Sequence, residues 1–157
     1  MQNRFIRHGA IAALLAVVFV GLSETPALTH HSFAMFDQTK VVTMTGVMTR
    51  FVAQANHAEI HFVPLGADGK PVRSSDGKPV QWGVEMAGAA AVAQQGITAA
   101  TFPAGTIFSV KLNPLRDGNA FGNKVGALVR CPKGKFPEAG KHCDSVEGRE
   151  LVGGTEF

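Results

Sequence analysis

Histidines are the side chains of this chain best suited to do chemistry, and four of the six fall into two groups. His30 and His31 stand side by side near the N-terminus, while His57 and His61 flank Glu59 further along. Imidazole nitrogens are the commonest protein ligands for transition metals. Processing that makes His30 the first residue lets its α-amine and ring chelate one ion, and another histidine completes a T-shaped copper site. Processing that makes Leu28 the first residue places a histidine third in Leu28-Thr29-His30. The amine, two deprotonated amides and the imidazole then offer four nitrogens in a plane, which suits Cu(II) or Ni(II). The plainer alternative is an exposed tail that holds no metal.

His57, Glu59 and His61 alternate, so in a strand they share one face, with neighbours ~6.5–7 Å apart and the two histidines ~13 Å apart. Adjacent members can share an ion, or one can join His30 or His31, but the two histidines cannot easily chelate one ion alone. The spacing is not the helical H-E-x-x-H of zinc proteases. The alternative is a solvated barrel face. The metal set expected from the sequence is therefore His30, His31, His57 and His61, with copper as the ligand. His142 adjoins Cys143, but a cysteine held in a disulfide offers no thiolate.

Catalysis finds little footing. Ser32 lies beside His31 without an oriented base, and G-x-S-x-G is absent. Asp37, Glu59 and Glu85 fall on separate elements, and no Gly-rich phosphate loop stands between a strand and a helix. The net charge of +3 is spread along the chain, without the basic block or basic-aromatic interleaving of a nucleic-acid surface.

The elements that carry these residues begin with an export pattern. Arg4, Arg7 and His8 form a basic n-region, residues 11–22 an apolar h-region, and residues 23–29 a small, polar c-region ending Pro26-Ala27-Leu28-Thr29. The expected organisation is a signal peptide over 1–29 and a single domain over 30–157, exported to the periplasm. Loss of Arg4, Arg7 and Glu24 takes the net charge from +3 to +2. No second long apolar run follows, so no membrane association is expected after cleavage. Cys131 and Cys143 are the only cysteines, and in an oxidising compartment they most simply form a disulfide. Closing that loop is worth up to ~3 kcal/mol in the chain-entropy model.

Period-two patterning predicts strands over residues 41–52, 56–63, 80–86, 106–112 and 121–130. Gly46 marks a bulge or bend in the first, and Gly122 and Gly126 soften the last. The pattern Asp-Gly-Lys-Pro-Val occurs at 68–72 and again at 76–80, which predicts a lengthened hairpin loop with two turns. Residues 87–95 are Ala-rich and stop at Gly96, a short helix. Trp82 and the phenylalanines are expected to supply the core, or alternatively to line a small binding groove on the barrel. The tail after Cys131 is expected to be loop-like, with a short pairing near Leu151 and Val152. The expected fold class is mainly β, a five-stranded OB-like small barrel with one short helix between strands 3 and 4. A small sandwich is the runner-up.

His30-His31-Ser32-Phe33-Ala34-Met35-Phe36-Asp37 resembles the opening of an uncharacterised exported bacterial family, domain of unknown function 6152. The stretches at 42–49, 56–60 and 81–86, with the Ala-rich segment after them, are similar to it as well. The resemblance implies an exported small β-barrel and no particular activity. The function expected is a non-catalytic periplasmic binding protein that takes copper through the N-terminal histidines with help from His57 or His61. The alternative is an envelope module that binds a protein or small ligand without metal, and an enzyme stands third.

Overall fold

Alternating threonines with valine and methionine draw the chain into β1 (Val42–Ala53), because β-branched side chains fit a pleated, half-buried surface. The computed structural model describes residues 33–157, so His30, His31 and the predicted signal lie outside the described residues. After β1 come β2 (Ala58–Pro64), β3 (Trp82–Met86) and the short helix α1 (Ala89–Gln94). Then follow β4 (Ile107–Pro114), β5 (Phe121–Arg130) and the three-residue β6 (Glu150–Val152). Residues 34–157 pack as one unit.

Hydrogen bonding runs in the order β3-β2-β1-β4-β5-β6, and β3 also pairs with β5 in parallel. That last pairing closes the first five strands into a barrel. An antiparallel meander, a helix before β4 and a parallel closing pair make this an OB-like barrel, as the sequence predicts. A sandwich would have left β3 and β5 on separate sheets.

β1 serves both halves of the barrel. Its first half runs beside β4 and its second half beside β2, with Gly46 and Val47 bonded on both sides. The predicted bend is present but displaced: the register shifts between Met48 and Arg50, not at Gly46. Gly46 instead solves a packing problem. A Cβ there would collide with the Phe62 ring and lie 2.7 Å from the Val63 carbonyl oxygen. In β5 the softening at Gly126 takes the form of a left-handed residue (φ 66°), beside a register shift against β4 between Val110 and Lys111.

The barrel interior is filled by Met48, Ile60, Phe62, Val84, Phe108, Val110, Leu112 and Leu128. Phe108 receives the Phe62 ring edge-to-face at 5.3 Å and the Phe102 ring at 6.1 Å. Helix α1 contributes Val92 to the same core and stops as expected. Gly96 adopts φ 79°, its N–H donates to the Ala93 carbonyl and the Ile97 N–H donates to Val92. This is a Schellman stop, whose usual apolar partners, here Val92 and Ile97, are both buried in the core. The duplicated Asp-Gly-Lys segments form two successive turns of one design. Gly69 and Gly77 take positive φ, while Asp68 and Asp76 each accept from the backbone N–H two residues on.

The tail does more than the predicted loop. It folds back over the outside of β1, β4 and β5 and builds a second apolar layer of Ile107, Val129, Cys131 and Cys143, with Val47, Val146 and Phe157 against it. Cys131 and Cys143 are joined at 2.05 Å. Period-two strands show apolar side chains on both faces here, and the second face needs a cover. β6 adds Val152 opposite Leu128.

Gly46→Ala is expected to destabilise the fold by about 2 kcal/mol or more through overpacking against β2, read as a lower urea midpoint. Cys143→Ser is expected to cost ~2–4 kcal/mol under oxidising conditions. Under reducing conditions the difference from wild type should largely vanish, which the same titration with dithiothreitol checks.

Candidate functional site

Strand alternation divides β2 cleanly. Ala58, Ile60 and Phe62 are fully buried in the barrel, so Glu59 and His61 must face outward. Register places Glu59 between Val52 of β1 and Glu85 of β3, and His61 between Arg50 and Gly83. The next row therefore sets two carboxylates side by side, with Cβ atoms ~4.5–5.5 Å apart. A histidine stands beside each carboxylate. His61 Nε2 lies 2.8 Å from Glu59 Oε2, and His57 Nδ1 lies 3.3 Å from Glu85 Oε1. All four side chains are partly exposed, between 16% and 31%, so they are fixed yet reachable.

Arg50 Nη2 also approaches His61 Nε2, at 3.3 Å. One ring nitrogen cannot donate to a carboxylate and accept from a guanidinium at once. The shorter contact to Glu59 favours a proton on Nε2, and in the neutral ring that leaves Nδ1 as the lone-pair nitrogen. An imidazole whose N–H is held by a carboxylate is the usual form of a metal-binding histidine, because the carboxylate fixes the tautomer and strengthens the opposite nitrogen.

His57 and His61 thus share a surface, as their spacing predicts, but each is paired with its own carboxylate rather than with the other. Among the described residues no three histidine, cysteine or carboxylate groups converge to hold one ion. Glu59 and Glu85 are the partners that sequence reasoning did not join. Both were visible as outward strand residues, but only the β2–β3 register places them opposite each other.

A second polar assembly lies on the opposite side of β1. Thr45 and Ser109 face each other across β1 and β4, outward and under the tail. The Cys143 N–H donates to Ser109 Oγ at 2.8 Å, Ser109 and Thr45 hydroxyls meet at 2.6 Å, and Thr45 Oγ1 is 2.8 Å from His142 Nδ1. Only one direction lets every hydroxyl accept once and donate once: Cys143 to Ser109, to Thr45, to His142 Nδ1. His142 is thereby a structural residue that ties the disulfide loop to the barrel. It also borders a cavity of about 220 Å³ between the tail and the β2–β3 loop.

Near the start of the described chain, Asp37 accepts from the Thr39 hydroxyl and pairs with Lys40. These contacts, Thr39 first, hold its carboxyl below the ordinary aspartate value. No helix among the described residues is long and apolar enough to cross a membrane.

The closed barrel with its partly exposed imidazole–carboxylate face defines a small OB-like β-barrel protein, stabilised by one disulfide and a folded-back tail. The chain belongs to the Family of unknown function (DUF6152), which matches residues 18–124. No curated protein and no solved structure matches it.

Thr45→Val keeps the shape but leaves Ser109 and His142 without their partner. It is expected to lower stability by ~1–3 kcal/mol, measured by urea unfolding, with a changed His142 ring tautomer ratio in the nitrogen NMR spectrum.

Proposed function

We propose that the protein is an exported, non-catalytic binding module that takes its ligand on the outer face of β2 and β3, and that the ligand is copper. The carrying observation is the 2.8 Å contact between His61 Nε2 and Glu59 Oε2; with the proton on Nε2, the neutral ring keeps Nδ1 as a lone-pair donor. Strands 2 and 3 also form the usual ligand face of OB barrels. The tail covers the outside of β1, β4 and β5, while the side chains of His57, Glu59, His61 and Glu85 are 16–31% exposed among the described residues. Copper suits imidazole donors, and two histidines with two carboxylates supply borderline and hard ligands at one surface.

Export is supported by the basic, apolar and small-residue order of residues 2–29. The Cys131–Cys143 disulfide fits the same compartment. The terminal chelate through His30 and His31 rests on the sequence alone and is tested separately. With no three ligands converging among the described residues, His57 and His61 act as single anchors whose remaining donors come from elsewhere. A ligand that is instead a protein of the cell envelope would use the same face through Arg50, Glu59 and Glu85.

The test is a native mass spectrum of the protein exported by its own signal, with and without Cu(II), followed by competition titration. One retained copper is expected. His61→Ala should weaken it, and Glu59→Gln should cost ~10–100-fold in affinity by freeing the ring. His30→Ala with His31→Ala reports the terminal chelate. A chain that retains no copper overturns the metal reading and directs the search to protein partners.

A further inference from the structure

A cavity of about 610 Å³ among the described residues lies away from the β2–β3 face, at the end of the barrel where β4 begins and β5 ends. Its size is that of a small-molecule site. Pro103, Ile107 and Cys131 give it apolar walls, and Arg130, Lys133 and Glu150 are its charged lining. Two cations against one carboxylate leave it electropositive.

Arg130 is held as a binding arginine is held. Its Nη1 donates to the Thr101 carbonyl, and its guanidinium lies over the Phe102 ring with the carbon 5.8 Å from the centroid. Phe102 is itself fully buried, so the plane of the guanidinium is set by a rigid neighbour. Nη2 donates to the Glu150 carboxylate. Arg130 is 31% exposed, but Glu150 is 58% exposed and sits on the three-residue edge strand β6. The guanidinium is fixed and its acid is not. An exposed pair of this kind contributes little to stability, so giving up Glu150 for another carboxylate costs little.

We infer that this cavity binds a small organic polycarboxylate, one carboxylate of which replaces Glu150 on Arg130 while Lys133 meets another. Guanidinium and carboxylate match in a planar, two-bond fork, and Glu150 already marks the position. The rest of the ligand lies along Pro103, Ile107 and the disulfide. Glu150 is then an internal competitor that keeps the site closed until ligand arrives.

Isothermal titration of the purified protein with citrate, against sodium chloride at matched ionic strength, tests this. Wild type should bind citrate. Glu150→Gln removes the competitor and should bind several-fold tighter, because the competent fraction rises. Arg130→Gln should lose binding, with a urea midpoint confirming that it folds. No citrate binding by wild type, equal binding by Arg130→Gln, or unchanged or weaker binding by Glu150→Gln each overturns the inference. Should Arg130→Gln fail to fold, the Glu150→Gln comparison decides alone. The copper titration is unaffected by either variant if the two sites are separate.

Discussion

The sharing of β1 between two partners is the constraint on which this structure rests. A five-stranded sheet becomes a barrel only if one strand bonds β2 along one half and β4 along the other, so that the sheet curls and β3 can reach β5. Curling that tightly drives the backbone of β1 onto the side chains of β2. Gly46 is the residue that permits it, because the Phe62 ring occupies the place of its missing Cβ. Phe62 in turn positions Phe108, and Phe108 receives Phe102 from the segment after the helix. The aromatic core and the strand exchange are one arrangement.

Closing the barrel leaves an outer surface that the chain treats unequally. On β1, β4 and β5 it is apolar at Val47, Ile107 and Val129, and the tail is spent covering it. The disulfide holds that cover down, while the hydroxyl relay from Ser109 through Thr45 to His142 satisfies the polar groups trapped beneath it. On β2 and β3 the outer residues are His61, Glu59 and Glu85, which have no need of a cover. The uncovered face and the covered face follow from the same strand alternation with different residue types.

Two opposed carboxylates on adjacent strands would normally cost stability. Here each is matched by a histidine, which makes the arrangement tolerable and gives the imidazoles a defined orientation. A surface of this kind is set up to donate ring nitrogens. The Arg130 cavity has the opposite charge balance, with Arg130 seated over Phe102 and paired with the exposed Glu150.

Local pattern in the sequence was enough for the five strands, the short helix and its glycine stop, the two turns of the long loop and the cysteine pairing. Each depends on neighbours in the chain: alternation, turn residues, or a loop short enough to close. The outward direction of His57, Glu59 and His61 was legible for the same reason. The bend in β1 fell at Thr49 rather than Gly46 because the glycine answered to the Phe62 ring of the neighbouring strand, not to its own flexibility. The pairing of Glu59 with Glu85, the cover over the second apolar face, the tie from His142 to Thr45 and the seat of Arg130 on Phe102 were all decided by tertiary structure. They join residues distant in the chain, and only strand register and packing bring those residues together.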